Sequence, residues 1–104
     1  MGDFDSNIDV DLPESDFRAS RVHRVMGNPL RYRMLNLIGA NDGISSGELA
    51  DELERSLSTI DYHLDNFKEL DLVFIRKEGQ TSYIHIKRND IYDAIQNFKQ
   101  QFER

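Results

Sequence analysis

The chain has 104 residues, a formal net charge of −6 at pH 7 and no cysteine. This length suits one small domain with a modest core, and the lack of cysteine excludes disulfides and thiolate metal sites. The apolar runs are too short to cross a membrane, and residues 1–14 contain no lysine or arginine, unlike a secretory signal. We therefore expect a cytoplasmic protein.

Much of the negative charge lies at the amino-terminus, on Asp3, Asp5, Asp9, Asp11 and Glu14. This composition predicts an acidic disordered tail over residues 1–14, followed by one domain over residues 15–104. The alternation of Ile8, Val10 and Leu12 is also compatible with a short strand.

Two helices are predicted in the first half of the domain. Ser15 can cap a first helix that ends at Met26. Pro29 fits the first position of a second helix because its missing N–H costs nothing there. The apolar face of the second helix repeats at helical spacing, through Leu30, Met34, Leu37 and Ile38. The sequence Asn41-Asp42-Gly43 ends it.

Two more helices follow with a joint of three or four residues, which is the signature of a helix-turn-helix. The sequence from Ser45 to Glu48 is a Ser-x-x-Glu capping box, and Ser56 is a good cap for the next helix. We expect one stripe of that helix to face inward: Leu57, Ile60, Leu64, Phe67 and Leu70. The opposite face carries Ser58, Thr59, Asp61, Tyr62, His63 and Asp65.

A hairpin and a last helix complete the chain. Residues 73–78 and 81–87 are predicted strands joined at Gly79, and Asn89 or Asp90 caps the last helix. Its apolar stripe is Ile91, Ile95, Phe98 and Phe102. This order of elements predicts an α+β, mainly α fold: a winged helix-turn-helix with flanking N- and C-terminal helices.

Several segments resemble the arsenic-repressor (ArsR) type of winged-helix transcriptional regulators, which are prokaryotic or archaeal. Residues 28–35 (Asn-Pro-Leu-Arg-Tyr-Arg-Met-Leu) are similar to that family's Asp-Pro-Thr-Arg-Leu-Arg-Ile-Leu. Residues 56–64 (Ser-Leu-Ser-Thr-Ile-Asp-Tyr-His-Leu) are similar to its Ser-x-Ser-Thr-Val-Ser-x-His-Leu recognition helix. Residues 48–53 and 72–83 resemble the preceding helix and the wing, so the resemblance covers about residues 20–90.

The resemblance does not extend to metal sensing. Metal-sensing members carry Cys-x-Cys at the start of the third helix, where this chain has Ile44-Ser45-Ser46-Gly47. Others use Asp and His on the last helix, but residues 89–104 contain no histidine. His23, His63 and His85 lie on different elements without ligand spacing, so we expect no metal and no cofactor. No catalytic arrangement is present either, so we do not expect an enzyme.

The resemblance implies a sequence-specific DNA-binding transcriptional regulator, a repressor that acts as a homodimer on double-stranded DNA. Its recognition helix, residues 56–70, would enter the major groove, and its wing, residues 76–83, would contact the backbone or the minor groove. The candidate DNA-binding residues are Ser56, Ser58, Thr59, Tyr62, His63, Arg76, Lys77 and Gln80. The alternatives for them are an ordinary solvated helix face and protection of an edge strand by charge.

The resemblance also implies that residues 15–27 and 89–103 are dimerisation helices. The candidate interface residues are Val22, Val25, Ile91, Ile95, Phe98 and Phe102. The alternative is that the last helix packs on its own chain.

The negative charge of the predicted helix-turn-helix is compatible with a second function. Residues 45–70 hold seven acidic side chains against Arg55 and Lys68, which opposes DNA binding. The alternative function is a protein-interaction winged-helix module that binds a basic partner through this acidic face.

Residues 17–33 contain five arginines and no acid. We expect mostly structural ion pairs there, with phosphate contacts as the alternative. An unknown effector is also possible.

Overall fold

The structure is a computed structural model that describes residues 12–102. In chain order the elements are α1 (Glu14–Met26), α2 (Pro29–Ala40), β1 (Ile44–Ser45), α3 (Ser46–Leu53), α4 (Leu57–Glu69), β2 (Val73–Glu78), β3 (Thr81–Ile86) and α5 (Asp90–Gln100). The predicted fold class, a mainly helical α+β winged helix-turn-helix, is confirmed. The predicted acidic tail lies outside the described residues, apart from its last three.

Side-chain caps begin four of the described helices, and three of the capping residues, Ser45, Ser56 and Asn89, were predicted. The Asn28 side chain accepts hydrogen bonds from the first turn of α2, and the Asn89 side chain does the same for α5. Ser45 and Glu48 form both halves of the capping box of α3, and Ser56 caps α4. Each boundary is therefore set by a local polar residue.

The first helix departs from the prediction. Helix α1 begins at Glu14 and not at Ser15, and no side chain caps it. Pro13 occupies the cap position in an extended conformation, and its carbonyl accepts a hydrogen bond from the Asp16 N–H at 3.0 Å. The predicted Ser15 cap is wrong because Ser15 already lies inside the first helical turn.

The strands form one antiparallel sheet in the order β1-β3-β2. Ile84 pairs with Ile44 on one side and with Ile75 on the other. Strand β1 was not predicted, because two residues are too short to show an alternating pattern. Gly79 lies at the tip of the β2–β3 hairpin with φ of +63°, a conformation that glycine adopts without strain.

The core lies between α2, α4 and the sheet. Its fully buried side chains include Met34, Ile38, Leu64, Phe67 and Ile84. The inward stripe of α4 is confirmed from Ile60 onward, whereas Leu57, the first residue of the helix, is half-exposed. The packed stripe fixes α4 so that its other side faces solvent.

Among residues 12–102, no helix combines the length and the apolar character needed to cross a bilayer.

Candidate nucleic-acid interface

The helix-turn-helix joint consists of Glu54, Arg55 and Ser56, between α3 and α4. Glu54 adopts the left-handed conformation, with φ of 55°. This turns the chain sharply, and the Arg55 N–H then donates to the Ala50 carbonyl at 3.0 Å. The joint thereby sets the direction in which α4 leaves α3.

Three hydroxyl groups cluster at the start of α4. The Ser56 hydroxyl donates to Thr59 Oγ1 at 3.0 Å and lies 3.2 Å from the Ser58 hydroxyl oxygen. The same oxygen accepts from the Thr59 backbone N–H at 3.2 Å. The partial positive charge at a helix N-terminus favours an anion, and hydroxyl groups bond phosphates or base edges.

The outward side of α4 continues with Tyr62, whose surface is 63% exposed. Asp61 and Asp65 are exposed beside it, and Asp65 forms an ion pair with Lys68 at 3.9 Å. The outward side therefore presents an aromatic hydroxyl together with two carboxylates. The carboxylates repel phosphate, so they oppose nucleic-acid binding at low salt, where this repulsion is least screened.

His63 does not lie on the outward side, and its predicted exposure is wrong. It retains only 7% of its accessible surface, because it follows Ile60 by three residues and precedes Phe67 by four. Its Nδ1 atom accepts a hydrogen bond from Arg31 Nε at 3.0 Å. Burial lowers the pKa of the His63 imidazole below its usual range, and the neighbouring Arg31 cation lowers it further.

The three predicted residues of the wing have different surroundings. Arg76 pairs with the Glu78 carboxylate, and its guanidinium lies 4.7 Å from the centre of the Tyr83 ring. Lys77 and Gln80 are exposed, and within residues 12–102 Lys77 has no ion-pair partner. Lys77 is therefore the wing cation most available to a phosphate.

A histidine–carboxylate contact ties β3 to the end of α2. His85 Nδ1 lies 3.4 Å from an Asp42 carboxylate oxygen, and the His85 ring stacks on Phe74. A hydrogen bond from the Ile86 N–H lowers the pKa of Asp42 below its usual range, and His85 lowers it further. These contacts fix the base of the wing.

Five arginines between residues 17 and 33 form a separate basic group. None of them contacts a carboxylate within the part of the chain that the structure describes. The expectation of structural ion pairs is therefore wrong, because the described chain places no acid opposite them. They are Arg18, Arg21, Arg24, Arg31 and Arg33.

The terminal helices leave aromatic surface uncovered. Phe98 is 53% and Phe102 is 73% exposed, whereas Ile91 and Ile95 are half-buried. Phe102 lies beyond α5, which ends at Gln100 and so is shorter than predicted. A groove of about 740 Å³ separates α1 from α5.

Two predicted interface residues belong to the core instead. Val22 and Val25 are buried within their own chain, so little of their surface remains for a partner. The residue of α5 that is fully packed is Tyr92, which the predicted stripe omitted. Hydrophobic spacing alone could not assign these positions, because it does not distinguish burial by the same chain from burial by a second one.

Comparisons with known proteins agree with this geometry. The profile of a family described as a helix-turn-helix domain matches residues 26–74, which include α2, α3 and α4. An uncharacterised HTH-type transcriptional regulator of Methanocaldococcus jannaschii is 28% identical over 78 residues, covering 75% of this chain and 88% of that protein.

Two solved structures share the whole architecture. HlyU from Vibrio cholerae superposes with a TM-score of 0.77 at 26% identity, covering 89% of this chain and all of the HlyU chain. The second is the homodimeric winged helix-turn-helix DNA-binding domain of a possible ArsR-family transcriptional regulator from Mycobacterium bovis. Its TM-score is 0.69 at 23% identity, covering 84% of this chain and 82% of that one.

The chain is a winged helix-turn-helix transcriptional regulator, and its predicted resemblance to the ArsR type is confirmed. The Methanocaldococcus jannaschii relative and the Mycobacterium bovis domain are described as transcriptional regulators and not as enzymes. Among residues 12–102, no group of three His, Cys, Asp or Glu side chains could hold a metal ion.

Proposed function

We propose that the protein binds specific sites in duplex DNA as a homodimer, in the cytoplasm, and represses transcription by occluding a promoter. Helix α4 enters the major groove, and the β2–β3 wing contacts the backbone or the minor groove. The observation that carries this proposal is the outward side of α4, where Ser58 and Tyr62 are exposed while the inward side is locked into the core.

The side chains divide into two roles. The hydroxyl cluster of Ser56, Ser58 and Thr59, with Tyr62, contacts base edges and nearby phosphates. Lys77 and Gln80 contact the backbone at the wing, where a cation adds affinity without sequence information. Arg76 contributes less, because Glu78 already neutralises its charge.

The domain assignment is part of the proposal. Residues 15–104 form one domain, and α1 with α5 supplies the dimer interface. Exposed Phe98 and Phe102 support this, as does the description of the Mycobacterium bovis domain as homodimeric.

Fluorescence anisotropy on a labelled duplex from the region upstream of the protein's own gene tests the proposal. We expect saturable binding by the wild type that weakens steeply as salt rises. The double variant Ser58→Ala/Tyr62→Ala should lose at least about tenfold in affinity, since a base contact contributes roughly 1–3 kcal/mol. Ser20→Ala, an exposed serine of α1, serves as the matched control and should bind like the wild type.

Failure of the wild type to bind at both low and high salt would contradict the proposal and favour the protein-interaction interpretation. Transcription in vitro from the same region tests repression. Transcript yield should fall with added wild type and stay constant with the double variant; a rise would contradict repression.

A further inference from the structure

We infer that His63 is a positioning residue: it holds Arg31 so that the Arg31 guanidinium contacts a DNA phosphate at the edge of α4. This inference rests on the proposed function. It replaces the predicted direct contact of His63 with DNA, and it adds a cation from α2 to the interface.

The bond between Arg31 and His63 requires a neutral imidazole. Arg31 Nε carries a hydrogen and can only donate, so His63 Nδ1 must offer a lone pair. A neutral ring with an unprotonated Nδ1 carries its proton on Nε2. The lowered pKa of His63 agrees with this state, and the burial of the ring keeps it in one orientation.

Arg31 retains most of its bonding capacity. A guanidinium has five N–H groups, and the bond to His63 uses the one on Nε. The two terminal nitrogens remain, and no carboxylate pairs with them within residues 12–102. This pair of nitrogens suits the two oxygens of a phosphate.

Arg31 also lies where a contact with a DNA phosphate is expected. Its Cζ atom lies 6.0 Å from the centre of the Tyr62 ring, and Tyr62 is the most exposed aromatic residue of the outward side of α4. The α3–α4 pair itself is strongly acidic, so a cation from α2 beside Tyr62 offsets repulsion where the backbone would pass. A purely structural bond between α2 and α4 would not need an unpaired guanidinium at this place.

A double-mutant cycle in the DNA-binding assay separates these roles. We expect Arg31→Ala to weaken binding about tenfold, and to reduce the salt slope by about 0.9 for each phosphate that Arg31 no longer neutralises. His63→Phe, which keeps a ring but removes the acceptor, should reproduce most of this loss. The double variant should bind no worse than Arg31→Ala alone.

Two further variants make the cycle specific. His63→Asn places an amide oxygen near the position of Nδ1 and should restore most of the affinity and of the salt slope that His63→Phe loses. Arg33→Ala removes an equal charge from an exposed arginine without a bond to His63. Its effect should add to that of His63→Phe. Thermal melts of each variant verify that it is folded.

The outcomes are distinct. If the wild type binds and Arg31→Ala leaves the salt slope unchanged, the phosphate contact is wrong. If the double variant loses as much binding free energy as Arg31→Ala and His63→Phe lose together, the positioning role of His63 is wrong. If the wild type binds no DNA, the proposed function fails and the inference with it. Long-range ¹⁵N NMR of the free protein should show His63 neutral with its proton on Nε2, and a proton on Nδ1 would overturn the bond to Arg31 whatever the DNA result.

Discussion

His63 shows how one side chain can link packing and charge. It lies on the recognition helix but faces the core, and its partner Arg31 is 32 positions away in the sequence. Protonation would remove the acceptor for Arg31 and place two cations side by side. The folded state therefore favours the neutral imidazole more than the unfolded chain does.

The stability of the protein should consequently depend on pH at this residue. Because the pKa of His63 is lowered in the folded state, the unfolded state binds the proton more readily once pH falls below the ordinary value of about 6.5. The contribution of the neutral His63 ring to the free energy of unfolding is therefore fully present above about pH 6.5. This contribution is lost as the pH falls from there toward the lowered pKa of the folded state.

Thermal melts of the wild type and His63→Asn between about pH 7.5 and pH 5 measure this effect. The difference in melting temperature, wild type minus variant, should become smaller as pH falls, since the asparagine of the variant does not titrate. Taking the difference cancels most of the contribution of other titrating groups, such as Asp42. A difference that stays constant across this range would contradict the prediction.

The joint between α3 and α4 contains backbone strain. Glu54 adopts a left-handed conformation that costs a non-glycine residue about 1–2 kcal/mol. A glycine at position 54 would remove this strain. The gain would be reduced by about 0.5–1 kcal/mol, because a glycine loses more conformational entropy on folding. We therefore expect Glu54→Gly to raise the free energy of unfolding by about 0.5–1 kcal/mol, observed as a higher midpoint in urea.

The matched control is Glu52→Gly, which introduces the same change inside α3. It should lower the free energy of unfolding by about 1 kcal/mol, because glycine is unfavourable in a helix. If both substitutions change the free energy of unfolding equally, the left-handed conformation of residue 54 does not cause the expected stabilisation by Glu54→Gly.

At the scale of the elements, the sequence predicted helices wherever a local pattern determines them. Asn28, Ser45, Ser56 and Asn89 begin helices because a capping side chain bonds to the backbone only a few residues away. Strand β1 has no such pattern, since only its pairing with β3 defines it.

The candidate site was predictable only in part, because local sequence patterns do not show contacts between distant segments. The exposure of Ser58 and Tyr62 follows from the inward stripe of α4. The burial of His63 could have been inferred from its spacing to Ile60 and Phe67, but its bond to Arg31 could not. That bond depends on how α2 and α4 pack, which no local pattern reports.

Charge is segregated across the molecule. No arginine of α1 or α2 pairs with a carboxylate within the described chain, whereas the α3–α4 pair and its joint carry half of the acidic side chains of residues 15–104. A DNA-binding surface limited to α3 and α4 would repel phosphate. The proposed interface therefore depends on cations from neighbouring elements, from α2 on one side and from the wing on the other.

The aromatic surface at α5 determines the expected assembly. Phe98 and Phe102 contact each other with ring centres 5.0 Å apart, and Phe98 borders the groove between α1 and α5. Exposed apolar residues that lie together usually mark an interface, and a second copy of the chain would cover them with the same surface by two-fold symmetry. A dimer also presents two copies of α4 to successive major grooves.

Phe98→Asp/Phe102→Asp should therefore yield a monomer that binds DNA more weakly and without cooperativity. Light scattering at tens of micromolar measures the molar mass, and the anisotropy assay measures binding to one and to two half-sites. Phe74→Asp is the control for the molar mass alone, because Phe74 is similarly exposed and lies on β2, away from the groove, but stacks on His85 at the base of the wing. A wild type that is already monomeric at this concentration would contradict the dimer. If instead both aspartate variants are monomeric, added charge and not the loss of the α5 aromatics causes dissociation.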